Sequence, residues 1–178
     1  MTRDIDFLID QPEKIKKKVD VPELLKDLGF VTIFKGSQGY IKLDHPDLIL
    51  EFIVREKGKG SNKPYPLSKL GMNAVPLRFL NFLSTQTIKV KVDNFYVNLP
   101  HPANFALHKI IISKRRTKEE KATKDRNAAV GILNALIKKD ENDIIRSVFF
   151  SIPKKWQSRI ISNLESFNEK NILNILNI

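Results

Sequence analysis

The chain has 178 residues, 42% hydrophobic and 29% charged, enough for one globular domain or a small domain with a helical appendage. With no cysteine and three histidines, disulfides and thiolate metal centres are excluded and a zinc site is disfavoured. The metals to expect are therefore hard cations held by oxygen, such as magnesium or manganese. The net charge of +11 predicts attraction to polyanions, although a composition rich in Lys, Ile and Asn explains it equally well. No apolar run approaches the roughly 20 residues that span a bilayer, and no signal-peptide pattern is present, so a cytoplasmic protein is expected.

Asp4-Ile5-Asp6-Phe7-Leu8-Ile9 alternates as a strand does. Ile5, Phe7 and Ile9 are expected to face a core, with Asp4 and Asp6 on the opposite face, about 6.6 Å apart along the strand. Aspartate is depleted in strands, and a pair of divalent cations about 4 Å apart would account for two of them on one face. A surface turn or cap pair near a terminus would account for them too. Residues 21–29 read as a short helix, with Pro22 in its first turn and Gly29 as its stop. Residues 30–35 and 40–43 read as a hairpin across Gly36-Ser37-Gln38-Gly39.

Leu48 to Val54 is the most strand-like run, and Glu51 is its single charge. A carboxylate inside an apolar strand needs either solvent, on the open face of an edge strand, or a cation. If this strand lies beside residues 4–9, Glu51 joins Asp4 and Asp6 as a third carboxylate on one sheet face. Residues 55–63 form a basic loop; Gly58-Lys59-Gly60-Ser61 lacks the Walker spacing and reads as a connector. Residues 71–83 read as a strand passing into a helix, and 87–92 with 95–100 as a second hairpin across Asp93-Asn94. From Pro102 the period is helical to Ile112, followed by the basic Lys114-Arg115-Arg116. Residues 117–127 are charged throughout, and an apolar helix resumes over 128–137. Amphipathic helices over 141–150, 154–167 and 171–178 complete a helical bundle. Trp156, Phe149 and Phe150 read as core, and His108 as a packed or capping residue.

The sequence resembles the DNA polymerase β-like nucleotidyltransferases. More narrowly, it is similar to a bacterial minimal nucleotidyltransferase family related to the toxins of AbiE-type toxin–antitoxin systems. The resemblance rests on Asp4-Ile5-Asp6-Phe7, Leu50-Glu51-Phe52, residues 66–74, residues 99–109, Arg115-Arg116 and Lys124-Asp125, and it covers roughly residues 2–140. It implies an α+β fold: a small mixed β-sheet nucleotidyltransferase core over 1–100 and a helical C-terminal region over 101–178. The superfamily's phosphate-binding Gly-Ser turn and helix precede its Asp-x-Asp strand. Only three residues precede Asp4 and Gly36-Ser37 follows it, so the expectation is a core truncated at that element.

The implied reaction is transfer of a nucleoside monophosphate from a nucleoside triphosphate to a hydroxyl of tRNA, protein or a small molecule. Two magnesium or manganese ions would be held by Asp4, Asp6 and Glu51, and Glu51 would also help deprotonate the acceptor. Lys109 would approach the triphosphate by its match to the family's helix lysine. Arg116, Lys121 and Lys124 would add nucleotide-binding charge, as would a merely solvated basic face. The alternative is a non-catalytic basic module that binds nucleic acid or a partner chain, such as a toxin–antitoxin component. A site completed by a second chain or an oligomer is compatible with either.

Overall fold

The computed structural model describes residues 3–37, 39–56, 58 and 63–176. Most of the 58–61 connector and Gln38 of the first turn therefore lie outside the described residues, as do the last two residues of the final predicted helix. The fold is α+β, as expected, and divides into two compact units, Met1–Asn81 and Phe82–Ile178.

The first unit is a mixed sheet. Strand β1 (Asp4–Ile9) runs parallel to β4 (Ile49–Arg55), Asp6 opposite Glu51. On its other side β4 pairs antiparallel with β3 (Tyr40–Asp44), Lys42 opposite Glu51, and further along it pairs parallel with β6 (Met72–Leu77). Strand β2 (Val31–Lys35) closes the hairpin with β3, and β5 (Tyr65–Leu67) pairs with β6. Among the described residues β1 pairs with β4 alone, so it is an edge strand while β4 is internal.

Helix α1 (Val21–Lys26) starts where the Asp20 side chain accepts from the Glu23 N–H, with Pro22 in the first turn. It ends before Gly29, whose φ of +87° suits glycine. One sheet face makes the core: Leu43, Leu50, Phe52 and Val54 are buried there with Leu67, Met72 and Ala74. Ile9 packs against this cluster, but Ile5 and Phe7 remain 46% and 44% exposed. The reason is the edge: a side chain on β1 has a sheet neighbour on one flank only, and Phe7 covers itself by stacking on Phe52.

The second unit holds α2 (Asn81–Ser84, begun in the first), the hairpin β7 (Thr87–Val92) and β8 (Phe95–Pro100), and five helices. These are α3 (Pro102–Ser113), α4 (Glu119–Lys138), α5 (Asn142–Ser151), α6 (Lys154–Ser166) and α7 (Lys170–Ile175). Helix α3 starts under His101, whose Nδ1 accepts from the Ala103 N–H. Its Leu107, Ile110 and Ile111 are fully buried, as are Leu133, Ile145, Phe149, Ile160 and Leu164 on the other helices. The charged run is helical, and α4 begins at Glu119 rather than Ala128. Two acidic residues lead it, as the helix dipole favours, and one charged side chain within it, Asp125, is buried. Trp156 packs edge-on against Phe82, whereas Phe150 stays 54% exposed.

Asn73 ties the β2–β3 hairpin to β6: its Oδ1 accepts from the Ile41 N–H and its Nδ2 donates to the Gly39 carbonyl, both at 2.9 Å. Asn73→Ala should lower stability by about 1 to 3 kcal/mol in urea denaturation, since both backbone groups lose their partner. A loss below about 0.5 kcal/mol, within the range of inert surface changes, would show that the tie carries nothing.

Candidate functional site

Parallel and antiparallel partners in a sheet share a face, so the two registers fix one row of side chains: Asp6, Glu51, Lys42. Asp4 lies on the same face, two residues before Asp6, opposite Ile49. Asp4, Asp6 and Glu51 therefore stand together on the sheet face opposite the core. Asp4 and Asp6 are exposed on the edge strand, where water solvates a carboxylate readily. Glu51, on the internal strand, has a side chain only 18% exposed, and a carboxylate there requires compensation.

The compensating cation is Lys42, whose Nζ forms an ion pair with Glu51 Oε1. Lys42 is itself 9% exposed. Burial, the largest influence, and then Lys35 pull its ammonium below the usual lysine range; Asp4 and Asp6 pull the other way by favouring the charge. Lys42 thus shares its electrostatic surroundings with all three carboxylates. In the sequence Lys42 is one residue of the hairpin return over 40–43, and its position follows from counting. The His45 N–H donates to the Leu48 carbonyl, closing a tight turn, and counting outward from 45 and 48 sets 44 opposite 49, 43 opposite 50 and 42 opposite 51.

The chemistry of Asp4 and Asp6, paired oxygen donors on one face, fits a hard divalent cation. Glu51 differs in that its carboxylate already meets an ammonium. Among the described residues, no group of three or more His, Asp or Glu side chains is gathered as a metal cage. At the far ends of β1 and β4 a separate recess is lined by Asp10, Glu13, Val54, Arg55 and Tyr65, where Arg55 pairs with Asp10 at 2.6 Å.

In the second unit Lys109 and Arg116 converge on Asp125. Lys109 Nζ donates to Oδ1 at 2.6 Å and Arg116 Nε to Oδ2 at 2.7 Å. Lys109 also lies 5.3 Å from the Phe105 ring centre. Lys121 and Lys124 are exposed on α4, and His108 is buried in α3. Asp125 therefore joins the end of α3, the following loop and α4, with two cations on one carboxylate.

A sheet bearing an Asp-x-Asp pair in register with a glutamate on the adjacent parallel strand, followed by a basic helical half, has the composition of a phosphoryl-handling protein. A family model described as Nucleotidyltransferase matches residues 1–149, and the chain belongs to this nucleotidyltransferase family. It matches no curated protein and no solved structure. The family assignment implies a nucleoside triphosphate as substrate and divalent metal ions in the chemistry. No helix among the described residues is long and apolar enough to cross a membrane.

Burial acts to raise the pKa of Asp125, but hydrogen bonds from Lys109 and Arg116, with their charges, outweigh it and hold the carboxyl below the usual range. A group depressed on folding contributes stability above its unfolded value, and that contribution fades as pH falls through the folded one. Asp125→Asn should therefore cost about 3 kcal/mol at pH 7. The gap to wild type should narrow once the pH falls below the ordinary value of 3.8. Denaturation at pH 7 and pH 3 checks this, and an equal gap at both would contradict the ion-pair account.

Proposed function

We propose that this chain transfers a nucleoside monophosphate from a nucleoside triphosphate to a hydroxyl acceptor, with Asp4, Asp6 and Glu51 as the carboxylates of the transfer site. The observation carrying this reading is the β1–β4 register, which puts Asp6 beside Glu51 on the face that also bears Asp4, in a chain of the nucleotidyltransferase family. The narrower kinship, to toxins of AbiE type, is favoured by the motifs of residues 66–74 and 99–109.

Asp4 and Asp6 would hold magnesium or manganese, which supplies charge neutralisation at the phosphates and lowers the barrier to attack. The residues of the chain orient and exchange protons around that centre. The acceptor oxygen attacks the α-phosphorus in line, and the bond from the α-phosphorus to the bridging oxygen breaks. Pyrophosphate leaves with the electron pair, and the hydroxyl proton passes to a carboxylate of this face. Lys42 offsets one of the negative charges of this face before substrate arrives.

The acceptor is most naturally polyanionic or bound near basic surface. Residues 82–178 carry seventeen Lys and Arg against nine Asp and Glu, most of the chain's excess. Exposed Lys121 and Lys124 and the Arg116 guanidinium, 39% exposed, are available to a nucleotide or to tRNA phosphates. Lys109, anchored on Asp125, contributes positive potential from a fixed position.

The test is incubation with each nucleoside triphosphate, labelled at the α-phosphate, together with magnesium and tRNA or protein acceptors. Label should enter an acceptor, and Asp6→Asn should reduce the rate at least about a hundredfold, a typical loss when charge stabilisation at a reacting centre is removed. Absence of transfer from all four triphosphates, or equal transfer by the variant, would overturn the reading.

A further inference from the structure

We infer that the lysine-bearing face of the β7–β8 hairpin binds single-stranded nucleic acid, with Tyr96 as the platform for a base and Lys89 and Lys91 as the contacts to phosphate. Binding there needs no turnover and is separate from the transfer reaction proposed above.

The register of the hairpin sorts its side chains by face. Lys89 stands across from Asn98 and Lys91 across from Tyr96 on one face, while the pairs Ile88–Leu99 and Val90–Val97 lie on the other. The apolar face is the more covered of the two: Ile88, Val90 and Val97 are partly buried there, whereas Lys89, Lys91, Tyr96 and Asn98 are each exposed. Strand propensity accounts for a tyrosine on a half-buried surface, but Tyr96 is 67% exposed. An exposed ring beside ammonium groups suits a nucleic-acid strand, because the ring stacks on the flat face of a base and the lysines neutralise the phosphates next to it. Lys89 and Lys91 lie about 6.6 Å apart along β7, so they present two separate contacts to a backbone. Asn98 adds an amide donor and acceptor for a base edge. Charge complementarity favours a polyanion: no carboxylate shares this face, and the single acid of the hairpin, Asp93, sits in the turn with a φ of 49°. The sheet of the first unit, by contrast, carries both signs on one face, with Lys42 in the row of Asp6 and Glu51. The bases of a duplex are already stacked on one another, so the ring selects a single strand.

Fluorescence anisotropy of the full chain with short labelled single-stranded RNA and DNA oligonucleotides, run across a salt series, tests this without activity. The wild type should bind at least one of the two, with affinity falling as salt rises. Tyr96→Thr removes the ring but keeps a strand-favouring residue, and it should bind at least about fivefold more weakly at an unchanged salt slope. Tyr96→Phe should stay within about threefold of wild type, since a phenyl ring still stacks. Replacing Lys89 and Lys91 together by Ala should flatten the slope of log affinity against log salt by about 1.4, two phosphate contacts at about 0.7 each. Lys138→Ala with Lys139→Ala removes the same charge from the exposed end of α4 and should shift that slope by less than about 0.5. No binding by the wild type, Tyr96→Thr indistinguishable from it, or a duplex of the same sequence bound as tightly as the single strand would overturn the inference. So would equal effects of the two lysine pairs on the slope, which would make the contact diffuse surface charge. Labelled polyglutamate bound as tightly as the oligonucleotides would overturn it too, by making this a site for acidic protein.

Discussion

Everything on the carboxylate face of the sheet depends on how one charge, that of Glu51, is neutralised. Glu51 sits on β4, flanked by β1 on one side and by β3 on the other, so it cannot reach bulk water as freely as a residue on an edge. Leaving a charge there unpaired would cost several kcal/mol, comparable with a large part of a domain's net stability. Lys42 removes that cost and, through its position, links the third carboxylate to the hairpin β2–β3. The hairpin is in turn held to β6 by Asn73. A chain of backbone register and side-chain bonds therefore connects the integrity of the sheet to the charge of the site.

The helical unit solves a similar problem with the signs reversed in number. Asp125 is the buried charge, and Lys109 and Arg116 bring two cations to it from α3 and the loop after it. Both clusters are compact and internally compensated, and they differ in what is left over. The sheet face retains an excess of carboxylate, suited to a divalent cation, while the helical cluster retains an excess of positive charge, suited to phosphate.

Much of this was legible in the sequence, for identifiable reasons. Strand alternation in residues 4–9 and the apolar run around Glu51 announced both strands, and the family's Asp-x-Asp and apolar-Glu-apolar patterns joined them. The requirement that Glu51 find either water or a cation was also readable; the answer was a cation, and it was Lys42. That residue was hidden because a lysine in a hairpin strand normally signals a solvated face, and only counting outward from the 45–48 turn places it opposite Glu51. The β1–β4 register was not countable, because a parallel pair is joined by a long crossover with no turn to anchor the count. The exposure of Ile5 and Phe7 was equally hidden, since alternation shows which face a residue takes and not whether its strand lies at an edge. In the helical half, the charged run 117–127 concealed a helix start because its apolar face begins only with the buried Ala129.

The central proposal is that Asp4 and Asp6, beside a Glu51 already engaged by Lys42, form the metal-binding face of the transfer site. Paramagnetic broadening of backbone amide resonances by substoichiometric manganese tests it most directly. Broadening should concentrate on Asp4 to Phe7, on Lys42 and on Glu51. Broadening centred instead on Asp10, Glu13 and Arg55 at the far ends of β1 and β4, or spread evenly over exposed acidic residues, would contradict it.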